Sequence, residues 1–192
     1  SVITSPEYGI GQDGNARGML IYDTMGMGKT RLAAAIIVSV WDTRACIVLL
    51  PKSTEENFRK TIKFMIRSGE DQTKLLKRVS FVSLDAYNSA EQFAKLGGLE
   101  GKMLIVDEAH NFFRGIINNP DGNSGRIYTM VMNTQNIRIA FLTGTPSSKD
   151  PFELVPCFNM LAGYDILPTQ YDIFQNTYVD KANRTVKNAD KL

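Results

Sequence analysis

The string IYDTMGMGKT at residues 21–30 restricts this chain to few folds. A short apolar strand, Met19–Tyr22, runs into a turn with glycines at 26 and 28, and a helix starts around Thr30 and continues through an Ala-rich stretch. Apolar strands alternate with helical stretches along the rest of the chain, which indicates an α/β fold on a parallel sheet. Backbone N–H groups in the turn, over Thr24, Met25, Gly26, Met27 and Gly28, can converge on phosphate oxygens, and the positive end of the helix faces the same point. Gly26 and Gly28 supply the backbone freedom. Lys29 reaches β- and γ-phosphates as a point charge, and the Thr30 hydroxyl is placed to ligate a bridging Mg²⁺.

Two further strands end in chemistry. MLIV at 103–106 is apolar without alternation, as a strand buried on both faces must be, and it runs directly into Asp107, Glu108, Ala109 and His110. Asp107, at the carboxyl end of that strand, is placed to hold Mg²⁺ through water, and Glu108 to orient and polarise an attacking water as general base. His110 is the only histidine of the chain, and no metal-ligand cluster competes for it. The third strand, from Ile137, ends in Thr143, Gly144, Thr145 and Pro146.

The first string departs from the pattern G-x-x-x-x-G-K-[ST], because Asp23 fills the first glycine position. With that acid it resembles the D-E-M-G-L-G-K-T motif of Swi/Snf-type, superfamily 2 DNA translocases rather than the loop of a GTPase or kinase. D-E-A-H and T-G-T-P follow in the order of those motors, and SSKDPFELVPCFNML at 147–161 resembles the stretch after their third motif, so the similarity spans most of residues 19–161. D-P-F-E-L after T-G-T-P, Tyr178–Asp180 and Lys187–Leu192 are similar to a viral branch, typified by the poxvirus nucleoside triphosphatase and the early transcription factor ATPase subunit. The resemblance implies a three-layer RecA-like P-loop domain, with His110, Thr143, Gly144 and Thr145 coupling the nucleotide site to nucleic acid. It also implies that the loop Pro51, Lys52, Ser53, after the strand Cys46–Leu50, holds the backbone of the tracked strand.

That loop offers a lysine, a hydroxyl and exposed N–H groups ahead of a helix, which suits phosphates without reading bases; a solvated strand-to-helix turn has the same composition. Ser83, at the end of the strand beginning at Val79, is a second candidate phosphate contact, and Asp85 beside it equally reads as a helix cap. Lys52, Arg59, Lys60, Lys63, Arg67, Lys74, Lys77 and Arg78 gather in this region, as a phosphate-facing patch or as a solvated helix face.

Composition sets limits. The 192 residues are 43% hydrophobic, enough for one sizeable core, which is assigned to a lobe at 1–168, with 169–192 leading toward a second RecA-like lobe. Net charge is only +2, so any nucleic-acid surface is local. Cys46 and Cys157 lack C-x-x-C spacing and read as inert reduced thiols of an intracellular, reducing compartment, in a viral setting the virion and host cytoplasm. No apolar run approaches the roughly 20 residues of a membrane span, no secretory leader is visible, and Ser1 in place of Met reads as a processed protein or an excised piece. Gly115–Gly125, GIINNPDGNSG, reads as an inserted loop, and the tail from Asp172 as a linker.

The expected function is that of the N-terminal lobe of a nucleic-acid-dependent ATPase that uses ATP and Mg²⁺ to move along DNA, duplex by preference, in viral transcription. Expected partners are the second lobe and an RNA polymerase or transcription factor subunit, without a membrane. The alternative is a nucleotide-gated scaffold of a transcription complex with no motor activity; an unrelated P-loop switch is disfavoured by Asp23 and T-G-T-P. In this superfamily the second lobe supplies arginines worth about 10³–10⁵ in rate, so the isolated lobe is expected to be nearly inactive. Neither Arg114 nor Arg138 fits the finger position, and Gln12 is the only upstream candidate for an adenine contact.

Overall fold

Every side chain of Cys46–Leu50 (β2) and of Met103–Val106 (β4) is buried, because two runs without a polar residue are covered on both faces. They form the middle of a five-stranded sheet with Gly18–Tyr22 (β1), Val79–Ser83 (β3) and Arg138–Thr143 (β5), in the order β1-β5-β4-β2-β3. All four pairings are parallel, so the expected α/β fold on a parallel sheet is present. The computed structural model describes residues 17–22, 28–144, 150–180 and 185–186.

Helices cover both faces, which makes three layers. Gly28–Val40 (α1), Glu55–Met65 (α2) and Gly69–Lys77 (α3) bury Ala33, Ile37, Phe58, Ile62 and Leu75 against Val48, Leu50, Ile105 and Leu142. Ser89–Ala94 (α4), Ala109–Asn118 (α5), Asn123–Met132 (α6) and Val155–Ala162 (α7) cover the opposite face, over Leu49, Leu104, Val106, Ile139 and Phe141. Alternate residues of one strand thus serve opposite cores, the period-2 geometry of an extended chain. Cys46 and Cys157 are buried, one in each core, and burial pushes both thiols up to about 12, which agrees with inert thiols.

Strand order positions the site. The connections after β1 and β2 lead to helices on one face, and those after β3 and β4 to helices on the other. The carboxyl ends of β1, β5 and β4 therefore lie side by side where the chain switches faces, the crevice in which open α/β sheets bind ligands.

Residues 115–125 do not form the expected inserted loop. Gly115 and Gly125 lie inside α5 and α6, and only 119–122 connect the two helices. A Cβ on Gly125 would sit 1.8 Å from the Pro120 carbonyl oxygen, and one on Gly115 would sit 2.7 Å from Ser124 Oγ, so Gly125 lets α6 start tight against the 119–122 connection and Gly115 lets α5 approach the first turn of α6. Gly125→Ala is expected to destabilise residues 1–192 by about 1–3 kcal/mol through overpacking against backbone, read as a lowered urea midpoint. An unchanged midpoint would mean that the turn gives way freely.

The tail also holds more than a linker. Tyr171–Tyr178 (α8) buries Phe174 on Phe152, with ring centroids 5.4 Å apart, and Val179–Asp180 (β6) pairs antiparallel with Thr185–Val186 (β7). The apolar period of α8 is only eight residues long, too short to register as a helix in the sequence.

Candidate functional site

Lys29 is the second residue of α1, and its side chain is buried; its Nζ donates to Glu108 Oε1 at 3.1 Å. The helix starts at Gly28, two residues before the expected Thr30, so Lys29 belongs to its first turn, whose N–H groups have no partner within the helix. Thr30 follows in the same turn. Residues 23–27, with Asp23, Thr24, Met25, Gly26 and Met27, and residues 145–149, with Thr145 and Pro146, lie outside the described residues, as does Gln12.

Asp107 is the first residue beyond β4, and its N–H donates to Leu49 O at 2.8 Å, which extends the sheet ladder by one bond and fixes where the carboxylate sits. That carboxylate is 5% exposed and accepts the Glu108 N–H at 3.0 Å. Burial, and then the neighbouring Glu108, hold its carboxyl above the usual aspartate range. Glu108 takes φ 50° and ψ 46°, the one left-handed non-glycine backbone among the described residues. A side chain held in that region marks stored strain of the kind found at working sites. Here the kink turns the chain from the end of β4 into α5 and aims the carboxylate between two partners, Lys29 Nζ and, at 3.5 Å from Oε2, His110 Nδ1.

His110 Nδ1 lies 2.9 Å from Thr143 Oγ1, the buried last residue of β5. Burial lowers the imidazole pKa against the opposing pull of Glu108, which favours the neutral ring. Gly144 follows Thr143 directly. Residues 29, 108, 110 and 143, from three separate parts of the sequence, thus form one chain of contacts, Lys29 to Glu108 to His110 to Thr143.

Asp107 is the donor that fits a metal ion. Among the described residues it forms no ion pair, although a buried carboxylate is costly without a counter-charge. No group of three or more His, Cys, Asp and Glu arranged to hold a metal ion is present among those residues. One carboxylate and the Thr30 hydroxyl suit a hard cation that keeps waters and takes phosphate oxygens, as Mg²⁺ does, and not an ion caged by protein alone.

A family profile described as the res subunit of type III restriction enzymes, ResIII, matches residues 7–148. The chain belongs to the ResIII family. It is 50% identical to an African swine fever virus protein named "Termination factor NPH-I homolog", over 100% of this chain and 29% of that protein. It is 22% identical to the "Early transcription factor 70 kDa subunit" of fowlpox virus, over 88% of this chain and 28% of that one. The SWI2/SNF2 ATPase core of Sulfolobus solfataricus, solved in complex with dsDNA, superposes with a TM-score of 0.58 at 23% identity, over 84% of this chain and 34% of that chain. The fold is RecA-like, and the chain is a first lobe of the superfamily 2 helicase kind, related to viral NPH-I. It spans less than a third of the length of these viral relatives.

At the carboxyl ends of β2 and β3, the ResIII lobe joins its two candidate nucleic-acid loops. The Lys52 N–H donates to Asp85 Oδ2 at 3.1 Å, and the Asp85 N–H donates to Ser83 Oγ at 3.3 Å, which places the Pro51, Lys52, Ser53 turn beside Ser83. Asp85 is therefore a brace between loops and not a helix cap, and α4 begins after Asn88. Four of the eight residues of the basic cluster pair with nearby acids: Glu55 holds Lys52 and Arg59, Glu56 holds Lys60, and Glu70 holds Lys74. Arg59 also stacks 4.0 Å over the Phe81 ring. These contacts agree with a solvated helix face.

Composition did not mark Arg17. Its buried guanidinium donates to the carbonyls of Met160, Val131 and Thr134, and so ties the ends of α6 and α7 to the start of β1. Arg114 pairs with Glu153 at 3.7 Å.

Proposed function

We propose that this lobe binds ATP and Mg²⁺ as half of a nucleic-acid-dependent ATPase that hydrolyses ATP to move along DNA, duplex by preference, in viral transcription. The observation that carries the reading is the contact of His110 with Thr143 at 2.9 Å, because it joins the strand end that bears the acids to the strand end that bears the third motif. Lys29, with the first-turn N–H groups of α1 and the turn at 24–28, grips the phosphates. Thr30 and Asp107 would hold Mg²⁺, which would supply charge neutralisation for the phosphate oxygens. Glu108, presented by its left-handed backbone, orients the attacking water and takes its proton. His110, Thr143, Gly144 and Thr145 report that state to the loops at Pro51, Lys52, Ser53 and Ser83.

A second lobe in the same protein supplies the opposite wall and its arginines, and an RNA polymerase or transcription factor subunit is the further partner. The dsDNA of the archaeal complex and the names of the viral relatives support this reading. No helix among the described residues is long and apolar enough to cross a membrane.

The test is phosphate release by the full-length protein without nucleic acid, with single strands and with duplex. Duplex is expected to stimulate most, and His110→Ala to lower the ratio of stimulated to unstimulated rate more than it lowers the unstimulated rate. An unchanged ratio in His110→Ala would remove the coupling role, and no stimulation of the wild type by any nucleic acid would favour the scaffold alternative.

A further inference from the structure

We propose that Tyr87 is a nucleic-acid contact whose ring packs flat against a base or sugar of the strand held by the loops at Pro51–Ser53 and Ser83. The side chain is 91% exposed, yet its backbone is pinned. Asn123, in the first turn of α6, donates through Nδ2 to Tyr87 O at 2.9 Å and to Ala86 O at 3.4 Å, and its Oδ1 accepts the Ala90 N–H at 3.3 Å. The Ala86 N–H donates to Ser83 O, and the Ser89 N–H to Ala86 O, which close the turn on either side. An aromatic ring is thus held out into solvent from a braced turn.

Its place distinguishes it from other exposed aromatics, which singly are ordinary on a protein surface. Tyr22 ends β1 on the nucleotide side of the sheet, and Phe64 lies in the last turn of α2, away from the carboxyl edge of the strands. Tyr164 and Tyr171 flank α7 and α8. Tyr87 stands two residues beyond Asp85, the brace that joins the turns bearing Lys52 and Ser83. Those turns carry hydroxyls and one lysine, Lys52, which Glu55 holds at 2.7 Å, and they have no flat apolar group to meet the rest of a nucleotide. A tyrosine supplies that face with only two side-chain torsions to order, and aromatic stacking accepts any base, as a protein that moves along a strand requires.

This inference rests on reading the lobe as nucleic-acid-dependent. Binding of labelled single strands and of the same sequence as duplex is measured at several salt concentrations for the full-length wild type, Tyr87→Ala, Tyr87→Phe and Tyr87→Trp. Tyr87→Ala is expected to weaken binding by about 5- to 150-fold, the range for loss of one base–aromatic stack. The slope of log affinity against log salt stays the same, because no charge is removed. Tyr87→Phe and Tyr87→Trp restore affinity, and melting temperature is unchanged in all three because the ring is exposed. A loss confined to single strands assigns the ring to a base face, and a loss on duplex as well assigns it to a sugar face; both support the contact. Wild-type affinity of Tyr87→Ala for both probes overturns it while leaving the motor reading intact. A wild-type protein that binds neither probe overturns the motor reading, and this contact with it.

Discussion

Glu108→Gln in the full-length protein is expected to lower ATP turnover by about 10²-fold or more while nucleotide binding survives, and Lys29→Ala to lose binding. The two side chains touch, at 3.1 Å, yet they fail differently. The amide in Glu108→Gln keeps the volume and an oxygen that accepts from Lys29, so the phosphate grip and the Asp107 carboxylate stay in place; only the base is gone. Lys29→Ala removes the ammonium itself, and with it a charge-assisted contact to phosphate oxygens. Equilibrium binding of a labelled nucleotide, measured beside phosphate release, separates the two. Equal loss of binding in both variants would show that Glu108 belongs to the grip and does not serve as base.

Phe113→Ala is expected to destabilise residues 1–192 by about 3–5 kcal/mol, the range for truncating a buried ring and leaving a cavity. Phe113 is 2% exposed and lies edge-on to Phe141 of β5 with centroids 4.9 Å apart. It sits three residues after His110 on α5, so the same ring that fills the core also sets the depth at which the helix delivers the imidazole to Thr143. Urea unfolding reads the stability, and Phe113→Leu, which leaves a smaller void, should lose clearly less. A loss below about 1 kcal/mol for Phe113→Ala would mean that the core collapses around the gap and that α5 is not held by this contact.

Residues that act through local chemistry were legible in the sequence. β2 and β4 are apolar without interruption because both faces are covered, and Asp107, Glu108 and His110 lie where the apolar run of β4 stops. A buried strand cannot tolerate such groups until it reaches the sheet edge, so composition alone locates the turn. Glycine was read less well. Gly115 and Gly125 look like turn residues in the sequence, yet both lie inside helices, where the missing side chain makes room for Ser124 and for the Pro120 carbonyl.

The sequence by itself determined the layered α/β class and the identity of the candidate chemical groups, since strand burial, glycine turns and acid placement follow from rules that act over a few residues. The tertiary structure decided which groups meet. Nothing local places β5 between β1 and β4, yet that order brings Thr143 to His110, and the α1 lysine to Glu108 across 79 residues. It also gives Arg17 its three carbonyl partners and Asp85 its brace to Lys52. These contacts depend on where long crossovers return, and that is settled by the packing of two opposite cores on one sheet rather than by any short run of residues.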